Sequence, residues 1–212
     1  MSTGRRTRSV AAGAGRSAAT KNALVSAAVE TVRREGFAGA SARAIADRAG
    51  CNQALVFYHF GSVVGLLLAA LDSVSAARAD AYEQTLERAG STGELIEAAA
   101  RIFAEDLDAG HTAFLVQMIA GAASTPGLGP EIAARIAPWN DFARRAVRAS
   151  GLLGASPPDE LALLIVATHL GLELLAELDG DRGPALSLFD GAARLAGRRR
   201  SRAGSGERPP LP

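Results

Sequence analysis

Two short stretches, Ala42–Ala49 and Gln53–Tyr58, flank the tripeptide Gly50-Cys51-Asn52. Ser41 stands where an N-cap belongs before the first stretch, and Asn52 stands likewise before the second. Gly50 falls where the first must stop, because glycine takes a positive φ at little cost. Two short helices joined by such a turn have the spacing of a helix-turn-helix. Ala46 and Ala49 are small where the helices must approach, and Ile45, Val56 and Phe60 can fill the space between them and a preceding helix. The second helix is then exposed along its N-terminal half, where it can enter a major groove. The chemistry this spacing offers is nucleic-acid recognition.

Other chemistries find less support. His169 and Glu173 lie one helical turn apart and make half a metal site, but the sequence offers no third ligand, so no metal is expected. Cys51 is the only cysteine, which excludes an intrachain disulfide and a thiolate zinc site. It reads as a small core residue rather than a redox sensor. No Ser/His/Asp order with a nucleophile context and no glycine-rich phosphate loop is present, and Gly121–Thr125 is not a P-loop. Neither an enzyme nor a cofactor is expected.

Charge is distributed unevenly. Residues 1–65 carry nine Lys/Arg against three Asp/Glu, residues 66–197 nine against eighteen, and residues 198–212 five against one. A basic front on an acidic body suits a first segment that faces a polyanion. The basic N-terminus is followed by no apolar stretch of the signal-peptide kind. The longest apolar run, Leu161–Leu178, is interrupted by His169, Glu173 and Glu177, which favours a buried or interface helix over a membrane span. A cytoplasmic protein with no membrane partner is expected.

The elements that must position these residues are helical. Ala and Leu dominate and strand-like β-branched runs are absent, so the chain reads as all-α with about nine helices. The first spans about Ala18–Glu35, with Leu24, Ala28 and Val32 on one face and Gly36 at its end. Ser62 caps a long fourth helix reaching about Ala89. Further helices are expected near Glu94–Ala109, His111–Ser124 and Pro130–Ser150, the last kinked or broken at Pro138. Ser156-Pro157-Pro158-Asp159 opens an eighth helix ending near Asp179, and a ninth spans about Pro184–Gly197. The expected organisation is a disordered basic arm (1–16), a helix-turn-helix domain (17–65), a larger helical domain (66–197) and a disordered basic tail (198–212).

Residues 20–71 resemble the DNA-binding domain of TetR-type repressors. The stretches that carry the resemblance are ALVSAAVETVRREGFAGAS, ARAIADRAG and CNQALVFYHFGS. The resemblance implies that Arg43 reaches a base or phosphate and that Asn52, Gln53, Ala54, Leu55 and Phe57 lie on the reading side of the recognition helix. Gln53 would pair with adenine, and Ala54 and Leu55 would touch thymine methyls. Tyr58 and His59 would hold the phosphate backbone and set register. Val63 departs from the lysine common at that position, and Gly65 follows it; Arg5, Arg6, Arg8 and Arg16 could supply the missing phosphate contact.

For the acidic region the resemblance implies a small-molecule effector site and a homodimer interface. Candidate pocket residues are Phe103, His111, Phe114, Gln117, Met118, Trp139, Phe142 and His169. The eighth helix is apolar nearly all round, which a lone subunit would leave exposed. Leu164, Ala167, Gly171 and Leu175 on it, with Leu186 and Phe189 on the ninth, are the candidate dimer residues. The expected protein is a ligand-responsive regulator, a repressor that binds palindromic double-stranded operator DNA as a dimer. Its two recognition helices would sit about 34–36 Å apart, and an effector would spoil that spacing through the fourth helix. The alternative is a helical protein-interaction module of the same fold that reads no operator, and the absent lysine at Val63 leans that way.

Overall fold

The computed structural model describes residues 3–150 and 158–204. Among them are nine helices and no strand: α1 (Thr3–Gly39), α2 (Ala42–Ala49), α3 (Ala54–Phe60), α4 (Val63–Arg88), α5 (Thr92–Ala109), α6 (His111–Ala122), α7 (Leu128–Ser150), α8 (Pro158–Asp179) and α9 (Gly183–Gly204). The chain forms two compact units. One takes in the chain up to Ala76 together with Phe114–Arg135; the other takes in Ala77–Ala113 and the chain from Ile136 onward. The division differs from the boundary expected at residue 65, because most of α6 and the start of α7 fold with the N-terminal helices.

In the first unit the local signals act where their chemistry requires. Leu24, Ala28 and Val32 on α1 are fully buried, as are Ile45 on α2 and Val56 on α3. Gly36 breaks α1 with φ 75° and ψ 173°, a conformation that disfavours any side chain, and one further turn follows. The Ser41 hydroxyl accepts from the Ala44 amide. Gly50, at φ 66°, closes α2 by donating to the Ala46 and Asp47 carbonyls. Asn52 Oδ1 accepts from the Ala54 amide at 2.8 Å, and Ser62 Oγ from the Gly65 amide at 2.9 Å. A bond between chemically unlike partners ties α2 to α1. Arg48 donates to Thr31 Oγ1 and, at 2.9 Å, to Glu35 Oε1, while the buried Thr31 hydroxyl donates to the Ala27 carbonyl.

In the second unit α5 packs chiefly on α9, and both touch α8. Phe103, Ala176 and Ala185 form a buried cluster there, with Leu107, Leu172, Leu186 and Phe189 packed against it. Ser91 caps α5 and Gly110, at φ 68°, ends it.

The helices run further than expected in three places. α1 begins at Thr3, within the segment expected as a basic arm, because its Ala- and Arg-rich sequence holds no proline and continues a helix already nucleated. The tail is likewise helical as far as Gly204 in α9; residues 205–212 lie outside the described residues. Pro138 does not end α7, which is helical on both sides of it. Ser156 and Pro157, expected to cap α8, also lie outside the described residues.

Gly65 offers a direct test of the α3–α4 junction. A Cβ there would lie 2.4 Å from the Phe60 carbonyl oxygen, a backbone atom that cannot step aside alone. Gly65→Ala is expected to destabilise the protein by about 1–3 kcal/mol, read from the urea unfolding midpoint.

Candidate functional site

The α2–α3 surface presents a mixed face. Asn52, Gln53, Ala54, Phe57 and Tyr58 are exposed, Leu55 and His59 are half-buried, and Val56 anchors α3 from below. Tyr58 is the most open large hydrophobic residue among the described residues, 78% exposed. Its ring meets His59 edge-on at 4.9 Å, and Lys21 Nζ lies 5.7 Å from the Phe60 centroid. Arg43 is held only by a long, solvent-screened pair with Asp47 at 3.7 Å, so it is free to turn to another anion. Asn52 spends its side-chain oxygen on capping and retains its amide nitrogen for other contacts.

α6 docks on this unit at the Gly36 kink. Gln117 Oε1 accepts from the Phe37 amide at 3.2 Å. Gly121 lies so close to the Phe37 ring that a Cβ would meet three ring carbons at 2.4–2.5 Å. Gln117 therefore binds backbone in the first unit, and Phe114 and Met118 beside it on α6 are fully buried in that unit.

The second unit holds a buried ionic cluster. Arg78 (α4), Asp106 (α5) and Glu173 (α8) are each at least 96% buried. Arg78 Nη2 lies 2.6 Å from Asp106 Oδ2 and 2.9 Å from Glu173 Oε1. Its guanidinium stacks on Trp139, 3.9 Å from the ring centroid. His169 Nε2 lies 3.2 Å from Glu173 Oε1 and 3.1 Å from the Tyr82 hydroxyl. His111 Nδ1 donates to Asp106 Oδ1 at 3.0 Å. Burial alone would push the Glu173 carboxyl up, but the His169 hydrogen bond and the Arg78 charge outweigh it and hold the group below the ordinary carboxylate value. Burial pushes the Tyr82 phenol far up, so it stays neutral.

The eight expected pocket residues thus separate. Phe103, His111, Trp139, Phe142 and His169 lie in the second unit, and all but Phe142 touch the cluster or each other's rings directly. Phe142 joins through Tyr82 at 5.0 Å. Phe114, Gln117 and Met118 belong to the first unit. Sequence reasoning missed Arg78, Tyr82 and Asp106. Asp106 had a signal, since it falls in the buried face of α5 with Ala98 and Ile102, at a register where an acid is costly.

Of the six expected interface residues, Leu164 and Leu175 are 61% and 56% exposed, Ala167 is exposed, and a Cβ on the half-buried Gly171 would meet nothing. Leu186 and Phe189 differ: they pack on the Phe103 cluster within the unit. Leu163, Leu174, Leu178, Leu188 and Leu195 extend the exposed apolar surface.

Residues 24–70 match the family model described as bacterial regulatory proteins of the tetR family. Within residues 24–70 the chain therefore carries a domain of the tetR type. The match spans α1 from its buried face through α2 and α3 into α4. No curated protein matches the sequence. Crystal structures show the same fold over most of the chain. One is a Rhodococcus protein assigned to the TetR-family transcriptional regulators, 22% identical, covering 84% of this chain and 98% of its own, with TM-score 0.71. Another is a TetR-family transcription regulator from Marinobacter aquaeolei, 21% identical, covering 86% and 97%, with TM-score 0.64. A third is the transcriptional regulator FadR from Bacillus subtilis in complex with stearoyl-CoA, 12% identical, covering 82% and 96%, with TM-score 0.70.

Arg78 holds two buried carboxylates at once. Arg78→Met is expected to cost the protein about 3–5 kcal/mol in chemical denaturation, because it strands both charges. The fold favours the Glu173 carboxylate, so its contribution is complete above the ordinary value of 4.5 and declines as pH falls below it. Thermal melts are expected to drop on acidification through that range, and Glu173→Gln is expected to flatten that part of the dependence.

Proposed function

We propose that this protein is a regulator of the TetR family, a ligand-responsive transcriptional repressor that binds a palindromic operator as a homodimer and releases it when a small molecule occupies the second unit. The observation that carries the reading is the open face of α3 on a domain of regulatory type. Gln53 is the one exposed side chain there able to read adenine by two hydrogen bonds, with Ala54 and Phe57 beside it for thymine methyls. Arg43, Tyr58 and His59 flank it as backbone contacts that set register.

Dimerisation is supported by the leucine-rich outer face of α8. Its inward face carries Ala162, His169, Glu173 and Ala176, whereas Leu164, Ala167, Gly171, Leu175 and Leu178 recur at helical spacing on the opposite side. α8 is long and apolar enough by composition to cross a membrane. A second copy of the chain covers the same leucines without taking the Arg78–Glu173 charges out of their pairing.

Response to a ligand is supported by the helices shared between the units. α4 contributes residues to both units. α6 adds a second connection. His111 at its start bonds Asp106 of the ionic cluster, and Gln117 and Gly121 further along hold Phe37 at the end of α1. An effector shifts such an equilibrium only by its difference in affinity for the two states.

The test is a titration against duplexes from the intergenic DNA beside the protein's own gene, at two salt concentrations, with a scrambled duplex as control. Tight binding to one duplex is expected, falling steeply with salt. Gln53→Ala is expected to weaken that duplex alone by about 1–3 kcal/mol. Equal binding to every duplex, unchanged by Gln53→Ala, would overturn operator reading. Leu164→Glu with Leu175→Glu is expected to give a monomer in analytical ultracentrifugation and to abolish operator binding; a dimer that survives both would place the interface elsewhere.

A further inference from the structure

The ionic cluster is not self-satisfied. Glu173 Oε2, Asp106 Oδ2 and Arg78 Nε are buried and find no hydrogen-bond partner among the described residues. Asp106 Oδ2 is close to Arg78 Nη2, yet the direction is too poor for a hydrogen bond. One guanidinium nitrogen serves two carboxylates and leaves a lone pair open on each. Buried polar groups without partners are costly, and they concentrate where something else completes them. Unpartnered acceptors outnumber donors by two to one. Both unpartnered acceptors belong to carboxylates. The group that completes it therefore donates hydrogen bonds, and a cationic donor does so most strongly to a carboxylate.

The surroundings define the rest of that molecule. Tyr82 meets Trp139 at 5.3 Å and Phe142 at 5.0 Å, and Phe103 meets His169 at 5.5 Å and Phe189 at 5.3 Å. Aromatic faces attract organic cations and bury apolar bodies. We propose that Asp106 and Glu173, within this aromatic surround, bind an organic ammonium ion: a protonated amine carried on an apolar or aromatic body. This names the ligand class for the sensor unit and rests on the reading of that unit as a sensor.

A metal ion is the competing occupant. Asp106, His169 and Glu173 bring one ligand atom each within 4.8 Å of one another. Arg78 Nη2 already lies on both carboxylates, and its guanidinium stacks on Trp139. A divalent ion would have to expel that arginine, whereas an ammonium needs only the open lone pairs of Asp106 Oδ2 and Glu173 Oε2.

Trp139 is the only tryptophan and reports directly on the cluster. The full-length protein is titrated, without DNA, with methylammonium, benzylammonium and 2-phenylethylammonium chlorides. Benzyl alcohol, phenylacetate and zinc chloride serve as comparisons. The readouts are Trp139 fluorescence and calorimetry. At least one aryl ammonium is expected to saturate, with affinity about tenfold or more above the alcohol and the carboxylate. Glu173→Gln and Asp106→Asn are each expected to lose about tenfold while circular dichroism shows the helices retained, and Glu97→Gln, an exposed acid on α5, to lose nothing. The proposal is overturned if the alcohol or carboxylate binds as well, if zinc binds and no ammonium does, if no ammonium binds, or if the folded variants bind undiminished. Should both variants unfold, the selectivity of the wild-type protein among the probes decides alone. Operator binding is measured separately, so either result can fail without the other.

Discussion

A single guanidinium joins three helices of the second unit at one point. Arg78 comes from α4, Asp106 from α5 and Glu173 from α8, and one nitrogen of the arginine reaches both acids. Three helices are thereby pinned at one point inside an aromatic surround. Such an arrangement is a poor source of stability, because desolvating three charges offsets most of their attraction. Leucines of similar volume would serve the fold as well or better. The cluster makes more sense as a specific polar device that the surrounding packing maintains, since the fold bears the cost of open lone pairs on both carboxylates.

The first unit rests on a different kind of interaction. Its helices are set by short local signals: a serine cap, a left-handed glycine, an asparagine that closes the turn, and a second serine cap. Small and branched apolar side chains then close the space beneath α3, leaving its outer face to solvent. Rigidity of that face follows from Val56 and Ile45 being fully buried, and from Arg48 tying α2 to α1 through Thr31 and Glu35. Precise recognition of any partner by that face needs this kind of support.

α6 connects the two kinds of chemistry within one helix. It begins at the hydrogen bond between His111 and Asp106 and continues to the Gln117 and Gly121 contacts with Phe37. The contact at Gly121 is steric, the one at Gln117 is a single hydrogen bond, and both bear on the residue next to the positive-φ kink at Gly36.

The sequence by itself determined the helical class, the helix-turn-helix and most helix ends, because these depend on periodicity and on caps within four residues of one another. It also marked His169 and Glu173 as neighbours, one turn apart on α8. It did not show that the partners completing them, Arg78, Tyr82 and Asp106, come from α4 and α5, since nothing local links residues as far apart as Arg78 and Glu173. Composition made both terminal segments look unstructured, whereas from Thr3 onward and as far as Gly204 the chain continues a helix for which its alanines and arginines are well suited. Tertiary structure alone decided which apolar residues face inward. Leu186 and Phe189 are as apolar as Leu164 and Leu175, but they pack on Phe103 while the other two face solvent. A helix that is apolar on every side carries no record of which side its neighbours will occupy, and only packing against the rest of the chain settles it.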